Sequence, residues 1–123
     1  MQKKIFKIGS NEIGDERPPF VVAELSGNHN QSLEKALAIV ESAAKAGCHA
    51  LKLQTYTAET MTIDDEKGDF FIDDANSLWR GRKLFDLYKE AHTPWDWHEP
   101  IFKKCRELGM GGFSTPFDAS AVD

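Results

Sequence analysis

The sequence predicts an α/β chain, the N-terminal part of a (β/α)8 TIM barrel preceded by a β-hairpin, with the barrel left incomplete. Three observations carry this. Apolar runs of strand character end in polar residues at Glu24, at Lys52 and Gln54, and at Thr115. Between the first two runs the apolar period becomes that of a helix, and strand, helix and strand in so short a length make a right-handed parallel crossover. Polar side chains gathered at the ends of parallel strands are how such a barrel builds an active site.

Residues 3–14 hold alternating charged and apolar residues (Lys4, Ile5, Phe6, Lys7, Ile8) and then Gly9-Ser10-Asn11, the pattern of a hairpin and its turn. Pro18-Pro19 precede Phe20-Val21-Val22-Ala23, a continuous apolar run suited to a first barrel strand covered on both faces. From Ser32, residues Leu33, Ala36, Leu37, Val40, Ala43 and Ala44 recur at three- and four-residue spacing, with Glu34, Lys35, Glu41 and Lys45 on the other face. Ser32 is the expected N-cap and Gly47 the left-handed stop. Residues 49–55 form the second strand. Residues 56–81 are a long insertion, acidic at Asp64-Asp65-Glu66 and Asp73-Asp74, with Phe70, Phe71, Ile72 and Trp79 embedded in it. A connection of that length has structure or function of its own.

Helical spacing returns over 82–91. Thr93-Pro94-Trp95-Asp96 then reads as a helix start, with Thr93 as cap and Pro94 at the first helical position. Its buried stripe is Trp97, Ile101, Cys105 and Leu108, and Gly109 ends it. Residues 111–115 are the third strand, and 118–123 the first turn of a further helix. Closing eight strands takes ~250 residues, so residues 1–123 are expected to be an N-terminal fragment of about three β/α units. An open half-barrel leaves sheet edges unpaired, so this stretch alone is expected to be poorly stable or prone to aggregate.

Composition narrows the function. Fifteen basic against twenty acidic residues give a net charge of -5, and the basic residues are scattered, so no stripe for nucleic acid is visible. Neither a signal-peptide core nor about 18 uninterrupted apolar residues occurs, which predicts a cytoplasmic protein without a membrane role. Cys48 and Cys105 lack ligand spacing and read as reduced, packed thiols.

Side chains in a strand alternate between faces, so Lys52 and Gln54 share one face while Leu51 and Leu53 share the other. With the leucines on the helices, Lys52 points into the barrel mouth. A cation there needs an anionic partner. Glu24, inward-facing at the end of the first strand, is one candidate, in an internal salt bridge that fixes register; a phosphate or carboxylate on a substrate is the other. Thr115 reads equally as a cap for the following turn and as a ligand for a substrate. His29 reads as a satisfied hydrogen-bonding residue in its loop rather than a metal ligand. His49, His92 and His98 carry no spacing signal. Of the tryptophans, Trp97 belongs to a buried stripe, and Trp79 is the one that could stack on a ligand.

Taken together, Ala23-Glu24 followed by Gly27-Asn28-His29, Leu51-Lys52-Leu53-Gln54-Thr55, and Phe113-Ser114-Thr115-Pro116-Phe117 resemble the three strand-end motifs of the sialic acid synthase family, in matching order and spacing. Within that family, residues 26–34, 53–57, 78–81 (Leu-Trp-Arg-Gly) and 93–97 (Thr-Pro-Trp-Asp-Trp) are most similar to the pseudaminic acid synthase branch. The resemblance implies a transferase that condenses phosphoenolpyruvate with an open-chain 2,4-diacetamido-2,4,6-trideoxy hexose to give a nonulosonic acid. N-acetylneuraminate and legionaminate synthesis are the alternatives within the family. An alternative of another class is a non-catalytic barrel fragment with a structural Glu24–Lys52 pair. Carried over residue by residue, Lys52 and Thr115 would bind phosphoenolpyruvate, Glu24 and Gln54 would contact the sugar, and Phe117 would line the sugar site, with Glu24 and Lys52 as the catalytic pair. The resemblance also implies a divalent metal, Mn2+ or Mg2+, held by residues outside this chain. It further implies a homodimer in the full-length protein, and a C-terminal antifreeze-like domain beyond these residues. Without those parts, the fragment itself is expected to be inactive.

Overall fold

The computed structural model describes residues 4–122. Lys3, in the expected hairpin, and Asp123, in the expected last helical turn, lie outside the described residues. The chain opens with a two-stranded antiparallel ribbon, β1 (Phe6–Ile8) against β2 (Asn11–Ile13), in which Phe6 faces Ile13. Gly9 takes the left-handed conformation that its tight turn requires (φ +59°). The second sheet is parallel, with strands β3 (Val22–Glu24), β4 (Ala50–Thr55) and β5 (Gly111–Pro116) in that spatial order.

Helix α1 (Leu33–Lys45) makes the crossover from β3 to β4. The Ser32 hydroxyl accepts a hydrogen bond from the Lys35 amide at 3.2 Å, and Gly47 turns the chain out at φ +86°. Ser32→Ala in the full-length protein is therefore expected to cost about 1 kcal/mol of stability. A fall in the urea midpoint with an unchanged slope would register it.

The insertion after β4 is ordered in short pieces. It contains α2 (Ala58–Met61), a 3-10 turn at Gly68–Phe70 and an antiparallel bridge from Phe71 to Lys83 that closes its base. Helix α3 (Leu84–Ala91), a 3-10 turn at Trp95–Trp97 and helix α4 (His98–Glu107) lead into β5. Leu25, Leu51, Leu53, Ala36, Val40, Ile101 and Cys105 are fully buried and form the core between one face of the sheet and α1 and α4. Gly112 lets α4 lie this close, since a Cβ there would stand 2.7 Å from the Phe102 ring. Both cysteines are free thiols, and burial pushes that of Cys105 up from its ordinary pKa.

Three expectations are corrected. The first strand is Val22–Glu24 rather than 20–23, and it is not covered on both faces: Val21 and Val22 are 47% and 38% exposed. Among the described residues β3 pairs only with β4, and the face carrying Val22 points away from the helices. Leu108 is 41% exposed rather than part of a buried stripe, because α4 ends at Glu107 and Leu108 occupies its C-cap. Thr93 is not a helix cap. Its side chain is buried and spent on His29, and Pro94 flanks a 3-10 turn instead of opening the α-helix.

Candidate functional site

The parallel register decides what meets at the strand ends. Glu24 stands opposite Lys52, Lys52 opposite Phe113, and Gln54 opposite Thr115. Paired residues of adjacent parallel strands point to the same side, so these five side chains share the face turned away from α1 and α4, while Leu51, Leu53 and Ser114 share the other. The Lys52 Nζ lies 2.9 Å from a Glu24 carboxylate oxygen, and the two side chains are 32% and 37% exposed. Gln54 and Thr115 form the next row toward the strand ends, roughly 6.6 Å further along.

An ammonium and a hydroxyl one row apart can hold an anionic ligand, and a carboxylate with a carboxamide can hold a polyol. Phe113 was not singled out in the sequence. Its position two residues before Thr115 gives the same parity, and that signal would have found it. Phe117 stands apart from the other candidates: it follows β5, its amide donates to the Thr55 carbonyl at 3.1 Å, and its ring meets Tyr56 edge-on with centroids 5.4 Å apart.

The loop after Glu24 is fixed by its own polar groups. Ser26, Asn30 and Gln31 all have positive φ (50°, 47° and 56°), which is strained for residues with a Cβ. Asn28 Nδ2 donates to the Leu25 carbonyl at 2.8 Å, and Gln31 Nε2 donates to the carbonyls of Glu90 and His92. His29, fully buried, accepts from the Gln31 amide through Nδ1 at 3.1 Å and meets the Thr93 hydroxyl through Nε2 at 3.3 Å. It is the hydrogen-bonding histidine that its loop position predicts.

The other histidines are also engaged. His49 Nδ1 accepts from the Val21 amide at 2.9 Å and its ring stacks on Phe20. His98 Nδ1 donates to the Trp95 carbonyl at 3.1 Å, which leaves Nε2 to accept from the Thr55 hydroxyl at 2.6 Å. Thr55 in turn accepts from the Ser114 hydroxyl at 2.6 Å. This chain, on the helix side of the strand ends, ties β4, β5 and α4 together and leaves no trace in sequence spacing.

Among the described residues no group of three or more His, Cys, Asp or Glu is arranged to hold a metal ion. Both nitrogens of His29 are committed to Gln31 and Thr93. These residues therefore do not fit a metal centre of their own. No helix among the described residues is long and apolar enough to cross a membrane.

The sequence profile of the NeuB family matches residues 39–123. Over 104 residues the chain is 45% identical to the pseudaminic acid synthase of Campylobacter jejuni subsp. jejuni serotype O:2, covering 85% of this chain and 30% of that protein. Over 107 residues it is 40% identical to the pseudaminic acid synthase of Helicobacter pylori, covering 87% of this chain and 31% of that one. The structure is similar to that of the N-acetylneuraminic acid synthetase from Leptospira borgpetersenii serovar Hardjo-bovis in complex with citrate, with a TM-score of 0.77. That match is at 23% identity and covers 98% of this chain and 36% of the other, so it speaks for the fold alone. The chain thus spans about a third of the length of the relatives it matches.

Proposed function

The chain belongs to the NeuB family, and from that premise we propose that it is the N-terminal part of the TIM-barrel domain of a pseudaminic acid synthase. The reaction is the condensation of phosphoenolpyruvate with an open-chain 2,4-diacetamido-2,4,6-trideoxy hexose. Carbon 3 of phosphoenolpyruvate attacks the aldehyde and forms the new C–C bond, while the aldehyde oxygen takes up a proton. Water adds at carbon 2, and phosphate leaves with its bridging oxygen as that C–O bond breaks, so the product is a nine-carbon 2-keto acid.

One observation carries the reading: a lysine and a glutamate 2.9 Å apart on the face they share with Gln54 and Thr115, at one end of a parallel sheet. In the proposed complex Lys52 and Thr115 hold phosphoenolpyruvate by charge and hydrogen bonding, and the anion takes over part of the ammonium's interaction with Glu24. That frees the carboxylate to accept from the sugar's hydroxyls, beside the Gln54 carboxamide. Phe117 lines the sugar side from the rim. Identities of 40–45% to proteins named pseudaminic acid synthase support the branch.

A divalent ion, Mn2+ or Mg2+, belongs to the reading with ligands from beyond this chain. The residues described supply one wall of the site, so turnover is assigned to the full-length protein, as a homodimer, and not to these 123 residues. The test is phosphate release by the full-length protein with Mn2+, phosphoenolpyruvate and one acceptor at a time. The pseudaminic acid precursor is expected to give the highest kcat/KM: N-acetylmannosamine lacks its second acetamido group, and the legionaminic acid precursor, a stereoisomer with the same substituents, directs them so that the pocket's polar groups are left unpaired. A preference for N-acetylmannosamine or for the legionaminic acid precursor overturns the branch, and silence with all three overturns the reading.

A further inference from the structure

We propose that Trp79 determines acceptor specificity by seating an acetamido group of the sugar, an inference that rests on the synthase reading above. Trp79 is 56% exposed and lines two separate cavities. One is a cleft of about 450 Å³ whose lining includes Ser26, Asn28 and Asn30 together with the ion-paired Arg82 and Glu90. That volume lies within the roughly 300–1,000 Å³ of small-molecule sites. The other, about 280 Å³, is lined mainly by apolar surface from Tyr56, Ile72, Leu84 and Tyr88.

Both cavities are lined in part by the segments that leave the C-terminal ends of β3 and β4. Ser26 follows Glu24 by two residues, and Tyr56 follows Gln54 by two.

The backbone that carries Trp79 is held in place, so the residue does not sit on a loose loop. The base of the insertion closes through Ile72 N to Arg82 O at 3.0 Å and Gly81 N to Ile72 O at 2.8 Å. The Trp79 carbonyl accepts from the Arg82 amide at 3.2 Å. Arg82 is anchored on α3 through Glu90, and Lys83 to Asp64 at 2.7 Å. A site held by such supporting contacts can discriminate.

The chemistry selects the occupant. An acetamido group is a methyl beside an amide, so it needs an apolar seat with polar neighbours at its edge. A hydroxyl in the apolar pocket would lose its hydrogen bonds to water without compensation, whereas a methyl gains by leaving water. Over the indole face the methyl also finds a large flat apolar surface. A sugar with acetamido groups at two positions can fill this pocket while presenting the other group near the reacting end. A sugar with one such group cannot.

The experiment compares kcat/KM for the 2,4-diacetamido-trideoxy hexose and for N-acetylmannosamine in the full-length protein and in Trp79→Ala and Trp79→Phe. In Trp79→Ala the KM for the diacetamido sugar is expected to rise about tenfold with the KM for phosphoenolpyruvate unchanged, moving the ratio of the two acceptors toward one. Trp79→Phe, which keeps an aromatic face, is expected to stay within about threefold of wild type. An unchanged ratio in folded Trp79→Ala overturns the inference and leaves the synthase reading standing. A wild-type protein that condenses neither sugar overturns that reading and the inference with it. If Trp79→Ala does not fold, Ile72→Gln, which puts a carboxamide into the apolar pocket, is read the same way.

Discussion

Lys52→Met in the full-length protein is expected to lower phosphoenolpyruvate-dependent phosphate release by roughly 10²–10³-fold, the usual loss when a charge-stabilising donor is removed from an active site. The methionine keeps most of the side-chain volume, so packing against β3 and β5 is preserved. Glu24 loses its partner but is 37% exposed, and water can solvate the freed carboxylate. Solvent-accessible ion pairs contribute about 0–1 kcal/mol, and this one is about one-third exposed, so the variant should remain folded, with a circular dichroism spectrum matching wild type. Glu24→Gln breaks the same pair from the other side and separates two roles. With Lys52 holding the anion, the KM for phosphoenolpyruvate should change little in Glu24→Gln, while the KM for the sugar rises. If the pair only fixed strand register, the two variants would instead lose stability alike and keep full activity at low temperature. A Lys52→Met protein that turns over normally would remove Lys52 from the site.

Parity within β4 was legible because alternation is a property of the strand itself. Leu51 and Leu53 are apolar for the helices, so Lys52 and Gln54 had to face the other way. Ser32 and Gly47 were legible for a similar reason, since a cap and a left-handed stop act within a few residues of the helix they bound. Thr93 failed where local and distant physics compete. As a helix cap it could satisfy one backbone amide, but His29, sixty-four residues earlier, offers a buried partner, and burying the hydroxyl there excludes the cap.

The Ser114–Thr55–His98 chain escaped for the same reason, because it forms only once β5 and α4 are docked against β4. Val22 was misjudged because an apolar run does not say how many neighbours its strand has. Among the described residues β3 has one, and the valine stays in view of solvent.

His29→Leu is expected to cost about 2–3 kcal/mol, because it leaves the buried Thr93 hydroxyl without a partner and removes the acceptor of the Gln31 amide. The ring donates through Nε2 to Thr93 and accepts through Nδ1 from Gln31, and its edge meets Trp97 with centroids 5.2 Å apart. Each nitrogen of the neutral imidazole is thus in use, and a second proton would have to go on Nδ1, against the Gln31 N–H. Burial holds the pKa of His29 below the ordinary 6.5, and the nearby His92 adds a smaller push in the same direction. The sign of the pH dependence follows. Between the lowered folded value and 6.5 the unfolded chain binds the proton and the folded chain does not, so the equilibrium shifts toward unfolding as pH drops. Stability from this group is complete above about pH 6.5, falls as the pH is lowered through that window, and levels off once the folded imidazole is also protonated. In urea titrations from pH 8 to pH 5, wild type should lose stability below pH 6.5 with this single-proton component. His29→Gln, whose carboxamide can accept from Gln31 and donate to Thr93 without titrating, should lack it while keeping more stability than His29→Leu at pH 8. An identical pH profile in wild type and His29→Gln would show that His29 has the same pKa folded and unfolded, and would overturn the lowered value.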